Sequence, residues 1–567
     1  MDFAERVQKL YESRNRFGAS VARRKRSLMR AAGKLESVAP RLLVAYHDIL
    51  LFVAAHPDDA RVLRGAEAEL RRVARAAATI SRSGAARQRR ELENTGVAGT
   101  HSTCSFSFDL TAWLATAFPR HVELAQTSDL SDERIEAILP PLVERCERDG
   151  LFDESRSTRE WLHLARGRAS SDVMFLCRAI ARVADSPRVR DAVFDPLDVS
   201  LDWALRERDA SRTFVRFPPH QTAGRTRPTR THYQLAAPLQ RDVVLSALLE
   251  RKLPPVRRLH KREAEALIRT ARLTLAVRGR ETDPVTWASP REVALVRLEH
   301  GIDVALFGMI PERRLPIESY FGYLVARNRV PIGYGGGWVF FDRCEVGVNI
   351  FDEFRGGESA LAFAQVLRVY RQHYRIGEFR VDAYQFGAGN DDGLRSGAFW
   401  FYYRLGFRPA DADVRKLAEA EFQRLRANHA RRTSTRALNK LTQSRLVLRV
   451  DENAAPTPDL TRIGLAVTRF IARRFAGDRT AARAWCAKHI ARTLGVSDLQ
   501  TWPASERRAF EELSVLIAMI DGVKDWPAEQ RKCLSQLMRD KGGPSERTYA
   551  RRLREHELLR IALHAME

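Results

Sequence analysis

Ile350-Phe351-Asp352-Glu353-Phe354-Arg355-Gly356-Gly357-Glu358-Ser359-Ala360 joins two unlike patterns. Upstream, residues 319–326, 331–342 and 344–351 are aromatic and β-branched, with a turn at Arg327-Asn328-Arg329, and read as three antiparallel strands. Downstream, Ala360, Phe363, Ala364, Leu367 and Tyr370 recur at helical spacing, and residues 379–386 return to a strand pattern. The order is strand, glycine-containing loop, helix, strand. A helix that opens directly after a strand leaves main-chain N–H groups pointing outward, and its dipole adds about half a positive charge at that end. Such a junction favours an anion, phosphate above all. Gly356 and Gly357 let a ligand approach the main chain without a side-chain clash. A glycine pair before a helix is more often a plain turn, so the flanks decide.

With its flanks, Ile350 to Ala360 resembles the pyrophosphate-loop motif of the GNAT superfamily of acyl-CoA-dependent N-acyltransferases. That motif runs from an apolar strand end through a spacer to Arg or Gln, two residues, Gly, one residue, and Gly or Ala. Downstream, Ala398-Phe399-Trp400-Phe401-Tyr402-Tyr403-Arg404-Leu405-Gly406-Phe407-Arg408-Pro409 is similar to the family's late helix and strand, in which Ala precedes Tyr by four and the helix ends in Leu-Gly-Phe. The likeness covers roughly residues 316–410. It implies two strands that splay to admit a pantetheine arm, with the pyrophosphate on Ile350, Arg355, Gly356, Gly357, Glu358, Ser359 and Ala360. It also implies acetyl-CoA or another acyl-CoA as co-substrate, and Tyr402 as the acid for the leaving thiolate. Attack on the thioester needs a neutral amine, so a base is useful, and Glu345 is the first candidate, ahead of Asp352 and Glu353. Two departures stand out. Glu358 occupies the family's central loop Gly and brings a carboxylate near a diphosphate site, a cost that Arg355 offsets if the two pair. An insertion at residues 387–396 falls where the family places an Asn that orients the cofactor; Asn390 either does that work or stabilises a turn.

The rest of the chain is read more coarsely. Across 567 residues, 95 Lys and Arg stand against 71 Asp and Glu, a formal charge of +24, and 44% hydrophobic content supplies several cores. The expected architecture is a multidomain α+β protein: a helical N-terminal domain over 1–215, a basic Pro/Thr linker over 216–235, and a helical connecting region over 236–300. A GNAT-like mixed sheet with helices follows over 301–410, and an Arg-rich helical C-terminal region over 411–567. Six scattered cysteines without a C-x-x-C pair support neither a disulfide framework nor a zinc knuckle. The first residues lack the apolar stretch of a secretory signal, and no apolar window reaches the ~20 residues of a membrane span, so the expected setting is cytoplasmic, without a membrane.

Other signals carry less. Ala55-His56-Pro57-Asp58-Asp59 resembles the first zinc-binding motif of PIG-L type deacetylases, but no paired histidine motif follows and the surroundings read as helix. His101, His121 and His163 fall at no metal-ligand spacing, and no metal is expected. The basic stretches Arg225–Arg230 and Arg424–Arg449 are candidate contacts for tRNA or another polyanion, though no RNA-binding signature accompanies them. Three readings of function stay open. The first is acyl transfer, acetyl from acetyl-CoA by expectation, to an amine of a large unidentified acceptor. The second is an aminoacyl-tRNA-dependent variant of that transfer. The third is a nucleic-acid-associated or scaffolding protein built on a degenerate GNAT-like core.

Overall fold

The computed structural model describes residues 2–30, 34–125, 138–152, 155, 157–167, 171–184, 186–207, 209–222, 225–227, 231–234, 239–428, 430–452 and 455–566. The chain is mixed α/β, with a mixed sheet flanked by helices, and divides into two compact units. The first holds residues 1–239, 265–286 and 326–332; the second holds 240–264, 287–325 and 333–567.

The first unit is mostly helical. In Ala60–Ser83, Val62, Ala66, Leu70, Val73, Ala77 and Ile80 recur every three to four residues and are buried, while Asp59 caps the start through the Arg61 and Val62 amides. A short antiparallel sheet of His101–Ser105, Ser200–Ala204 and Val122–Leu124 also belongs here, packed around Trp203, Phe118 and Leu114. The AHPDD motif is structural: His56 is buried and stacked on Phe52, and Asp58 forms a buried ion pair with Lys25 at 2.7 Å. Residues 225–227 pair with 220–222 in a two-stranded ribbon, whereas 228–230, the remainder of the first basic stretch, lie outside the described residues.

The second unit carries a nine-stranded sheet. Its spatial order is Arg408–Pro409, Leu446–Arg449, Glu378–Val381, Arg343–Ile350, Val330–Phe340, Ser319–Arg327, Ile302–Met309, Ala288–Arg297, Arg257–Arg258. The three strands read from sequence form as expected, and the first two meet at Asn328 and Arg329, both with positive φ, the backbone of a tight hairpin. Three strands of this sheet, Arg257–Arg258, Ala288–Arg297 and Ile302–Met309, lie upstream of where strand character was expected to begin. Ala288–Arg297 escapes notice because Pro290 and helix-forming residues blur its alternation, and its pairing register shifts between Ala288 and Val293. Among the described residues, 411–566 hold helices, their connections and one strand, Leu446–Arg449, which enters this sheet between Glu378–Val381 and Arg408–Pro409.

A glycine run lies beneath tyrosines. A Cβ on Gly335 would sit 2.2 Å from the Gly347 carbonyl and 2.5 Å from the Tyr323 hydroxyl; one on Gly336 would meet Tyr320 and one on Gly337 would meet Tyr370. Tyr323 donates to the Gly347 carbonyl at 2.6 Å, and Tyr370 to that of Phe321 at 2.6 Å. Helix Ser359–His373 covers the face of Gly335 and Gly337 with Leu361, Phe363, Val366, Leu367 and Tyr370, and Gly336 and Tyr320 lie on the opposite face. The C-terminal helices pack on Phe340 and Phe341. Among them the buried Lys541 binds Glu546 at 3.1 Å and the Glu318 carbonyl at 2.9 Å. The six cysteines are free thiols, and among the described residues no helix is long and apolar enough to cross a membrane.

Candidate functional site

Strands Arg343–Ile350 and Glu378–Val381 are the parallel pair of the sheet's C-terminal half, joined by helix Ser359–His373 as a β-α-β unit. Their register runs only from Arg343↔Glu378 to Glu345↔Arg380. Beyond Glu345 the first strand continues to Ile350, held on its other edge by Gly333–Gly337. The second strand stops at Val381, because Asp382 accepts the Tyr384 amide and caps a short 3-10 turn over Ala383–Phe386. The strand expected over 379–386 is shortened by that cap. Among the described residues, the main chain from Val346 to Ile350 therefore lacks a strand partner on this side.

Tyr402 sits where the pairing ends. Helix Ala398–Arg404 places its ring against Phe363, Phe386 and Phe407, 2% exposed. Its hydroxyl lies beside the main-chain amide of Val348, inside the stretch without a strand partner. Burial raises its pKa above the ordinary tyrosine value, so the hydroxyl holds its proton at neutral pH. Glu345 points to the opposite face from helix Ser359–His373, half-buried. Burial, then the neighbouring Asp382, raises its carboxyl, against the pull of Arg343, Arg445 and Arg380. Gln385 lies on this second face, 3.1 Å from where a Gly347 Cβ would stand. Tyr323 and Gln385 were not singled out from sequence; the glycines beneath them, at 335 and 347, were the available signal.

The loop after Ile350 is open where the resemblance needs it open. Gly356 has φ +77°, a region that L side chains avoid, and nothing lies within 4 Å of where its Cβ would stand. Arg355 is exposed and pairs with Asp352 at 2.9 Å, not with Glu358. Glu358 is 5% exposed and accepts the Gln240 amide at 2.9 Å, while Arg241 donates to the Gly356 carbonyl at 3.2 Å. The departure from the motif thus serves to tie down the segment at 240–241, with its carboxylate turned inward. Ser359 and Ala360 open the helix, part-exposed. Asn390 takes the turn role: it accepts the Gly393 amide at 3.2 Å and donates to the Tyr384 carbonyl at 3.0 Å.

Two clefts lie elsewhere. In the first unit, one of about 960 Å³ gathers His101, His121 and His163 with Glu123, Glu160 and Asp202, residues that sequence spacing kept apart. Among the described residues no group of His, Cys, Asp or Glu is disposed to hold a metal ion. In the second unit, one of about 520 Å³ is lined by Arg380, Arg408, Arg415, Arg445 and Arg449. Comparison of the chain with protein-family models, with curated proteins and with solved structures gives no match.

Proposed function

We propose that the second unit is a GNAT-like N-acyltransferase that moves an acyl group, acetyl in the simplest case, from a CoA thioester to an amine. The observation that carries this reading is the early end of the parallel pairing at Glu345 and Arg380, with the Tyr402 hydroxyl at the main chain of Val348 just beyond it. The main-chain groups left over along Val346–Ile350 suit an extended, amide-bearing arm lying alongside them. The loop offers Arg355, Gly356, Ser359 and Ala360 to a diphosphate, and the inward turn of Glu358 removes the like-charge conflict that its place in the motif suggests. An acyl-CoA bound there supplies an activated thioester. Tyr402 keeps a proton at its hydroxyl for the departing thiolate, and Glu345, its carboxyl lifted by burial and Asp382, takes a proton from the acceptor ammonium.

The two groups approach from opposite sides of one strand, as donor and acceptor entering from different faces require. Thermal denaturation with and without acetyl-CoA tests the reading, because a ligand of the folded state stabilises by mass action. A saturable rise in melting temperature with acetyl-CoA, together with amine-dependent thiol release, is expected. An unchanged melting curve at millimolar acetyl-CoA overturns it.

A further inference from the structure

The C-terminal strands of the sheet carry a second feature that acyl transfer does not use. Glu345↔Arg380, Arg380↔Val447 and Val447↔Arg408 are successive partners across four strands, so their side chains share one face. Arg449 lies two residues from Val447 and shares that face. The cleft there, about 520 Å³, is lined by five arginines and one carboxylate, Glu378. Glu378 is already used, held by Arg380 at 2.6 Å and Arg449 at 3.2 Å.

Two of the remaining guanidinium groups are fixed by neutral partners. Arg408 stacks on Tyr403 at 4.1 Å and donates to the Tyr403 and Phe407 carbonyls, both at 2.9 Å. Arg415 donates to the Pro409 and Ala410 carbonyls. Carbonyls and a ring set their positions while leaving their positive charge in place, an arrangement that an anion completes at a gain in free energy. The segment that leaves the cleft at Arg415 and returns at Arg445 adds exposed Arg426, Arg432, Arg436 and Lys440, while Arg424 and Arg431 pair with Glu421; no acidic residue occurs from Phe422 to Arg449.

We infer that this cleft binds the phosphodiester backbone of a nucleic acid strand. The charge continues beyond the cleft along the 426–440 segment, further than a single small phosphate ester reaches. None of the large exposed apolar side chains of the described residues falls between 378 and 449 except Tyr384; a membrane surface or a folded protein partner calls for such anchors. Phosphates alone satisfy an arginine face of this kind, without reading base sequence.

The test measures binding of the full chain to fluorescent 20-nucleotide single-stranded RNA and DNA of one sequence across a salt series. Both arms probe the phosphodiester; whichever binds more tightly names its natural source. The double variant Arg445→Gln/Arg449→Gln is expected to weaken binding about tenfold or more and to lower the slope of log K against log salt by about 1.4, two contacts at about 0.7 each for single strands. The variant Lys532→Gln/Arg551→Gln, which removes the same charge from exposed positions outside the cleft, is expected to bind nearly as the parent does. Equal losses in both variants, an unaltered Arg445→Gln/Arg449→Gln variant, or binding to phosphatidylserine vesicles with none to either oligonucleotide overturns the inference. The outcome is independent of acetyl-CoA binding, so it stands or falls apart from the acyltransferase reading.

Discussion

Along Arg343–Ile350, Glu378–Val381 and Leu446–Arg449 the sheet has two faces that obey different rules. On one, Cys344, Val346, Phe379, Val381 and Leu446 are buried, with helix Ser359–His373 and the tyrosines packed over them. On the other, Arg343, Glu345, Glu378, Arg380 and Arg449 alternate with them, away from that helix. Residues one apart in sequence therefore serve stability and chemistry by turns, as period-two alternation dictates. Tyr402 bridges the two: anchored in the closed face, it reaches a main chain that the sheet leaves without a strand partner. Substitutions on the closed face should cost folding, and those on the open face should cost activity or binding with folding intact.

The largest expected effect is on the closed face. Gly335→Ala places a methyl 2.2 Å from the Gly347 carbonyl and 2.5 Å from the Tyr323 hydroxyl. Neither neighbour is the free end of a flexible chain, so a loss of about 3 kcal/mol or more is expected in urea denaturation. A loss below about 1 kcal/mol would mean that the face is not closed. Next in size is Tyr402→Phe, which removes the hydroxyl at Val348 while keeping the ring among Phe363, Phe386 and Phe407. Turnover should fall by about 10²-fold with little change in acetyl-CoA affinity. Equal turnover removes Tyr402 from the chemistry.

A smaller, pH-dependent effect belongs to Glu345. Its carboxyl is raised above the ordinary value in the folded chain, so the folded state holds its proton to higher pH than the unfolded state does. Stability then declines as pH climbs from the unfolded value of about 4.3 through the folded one. Glu345→Gln, which never ionises, should therefore be more stable than the parent at pH 7, with the gap closing below about pH 4. Urea midpoints at the two pH values measure this, and a variant less stable than the parent at pH 7 contradicts the assigned cause.

Much of this was legible in sequence where neighbours in the chain are also neighbours in space. The strand, loop and helix from 343 to 373 stand where the pattern puts them, since a turn glycine and a 3.6-residue period are local signals. What escaped depends on distant partners. Leu446–Arg449 is four residues within an Arg-rich helical run, a strand only because Glu378–Val381 and Arg408–Pro409 lie on either side. The inward turn of Glu358 needs the Gln240 amide, 118 positions away. The cleft arginines come from four separate elements, and their shared face appears only once the register is known.

Hydrogen exchange of the main-chain amides from Val346 to Ile350, with and without saturating acetyl-CoA, addresses the central claim most directly. Exchange is expected to slow there, at Val348 above all, while amides of the first unit keep their rates. Unchanged exchange across Val346–Ile350 with the ligand in excess would mean that nothing lies along that strand, and would contradict the acyltransferase reading.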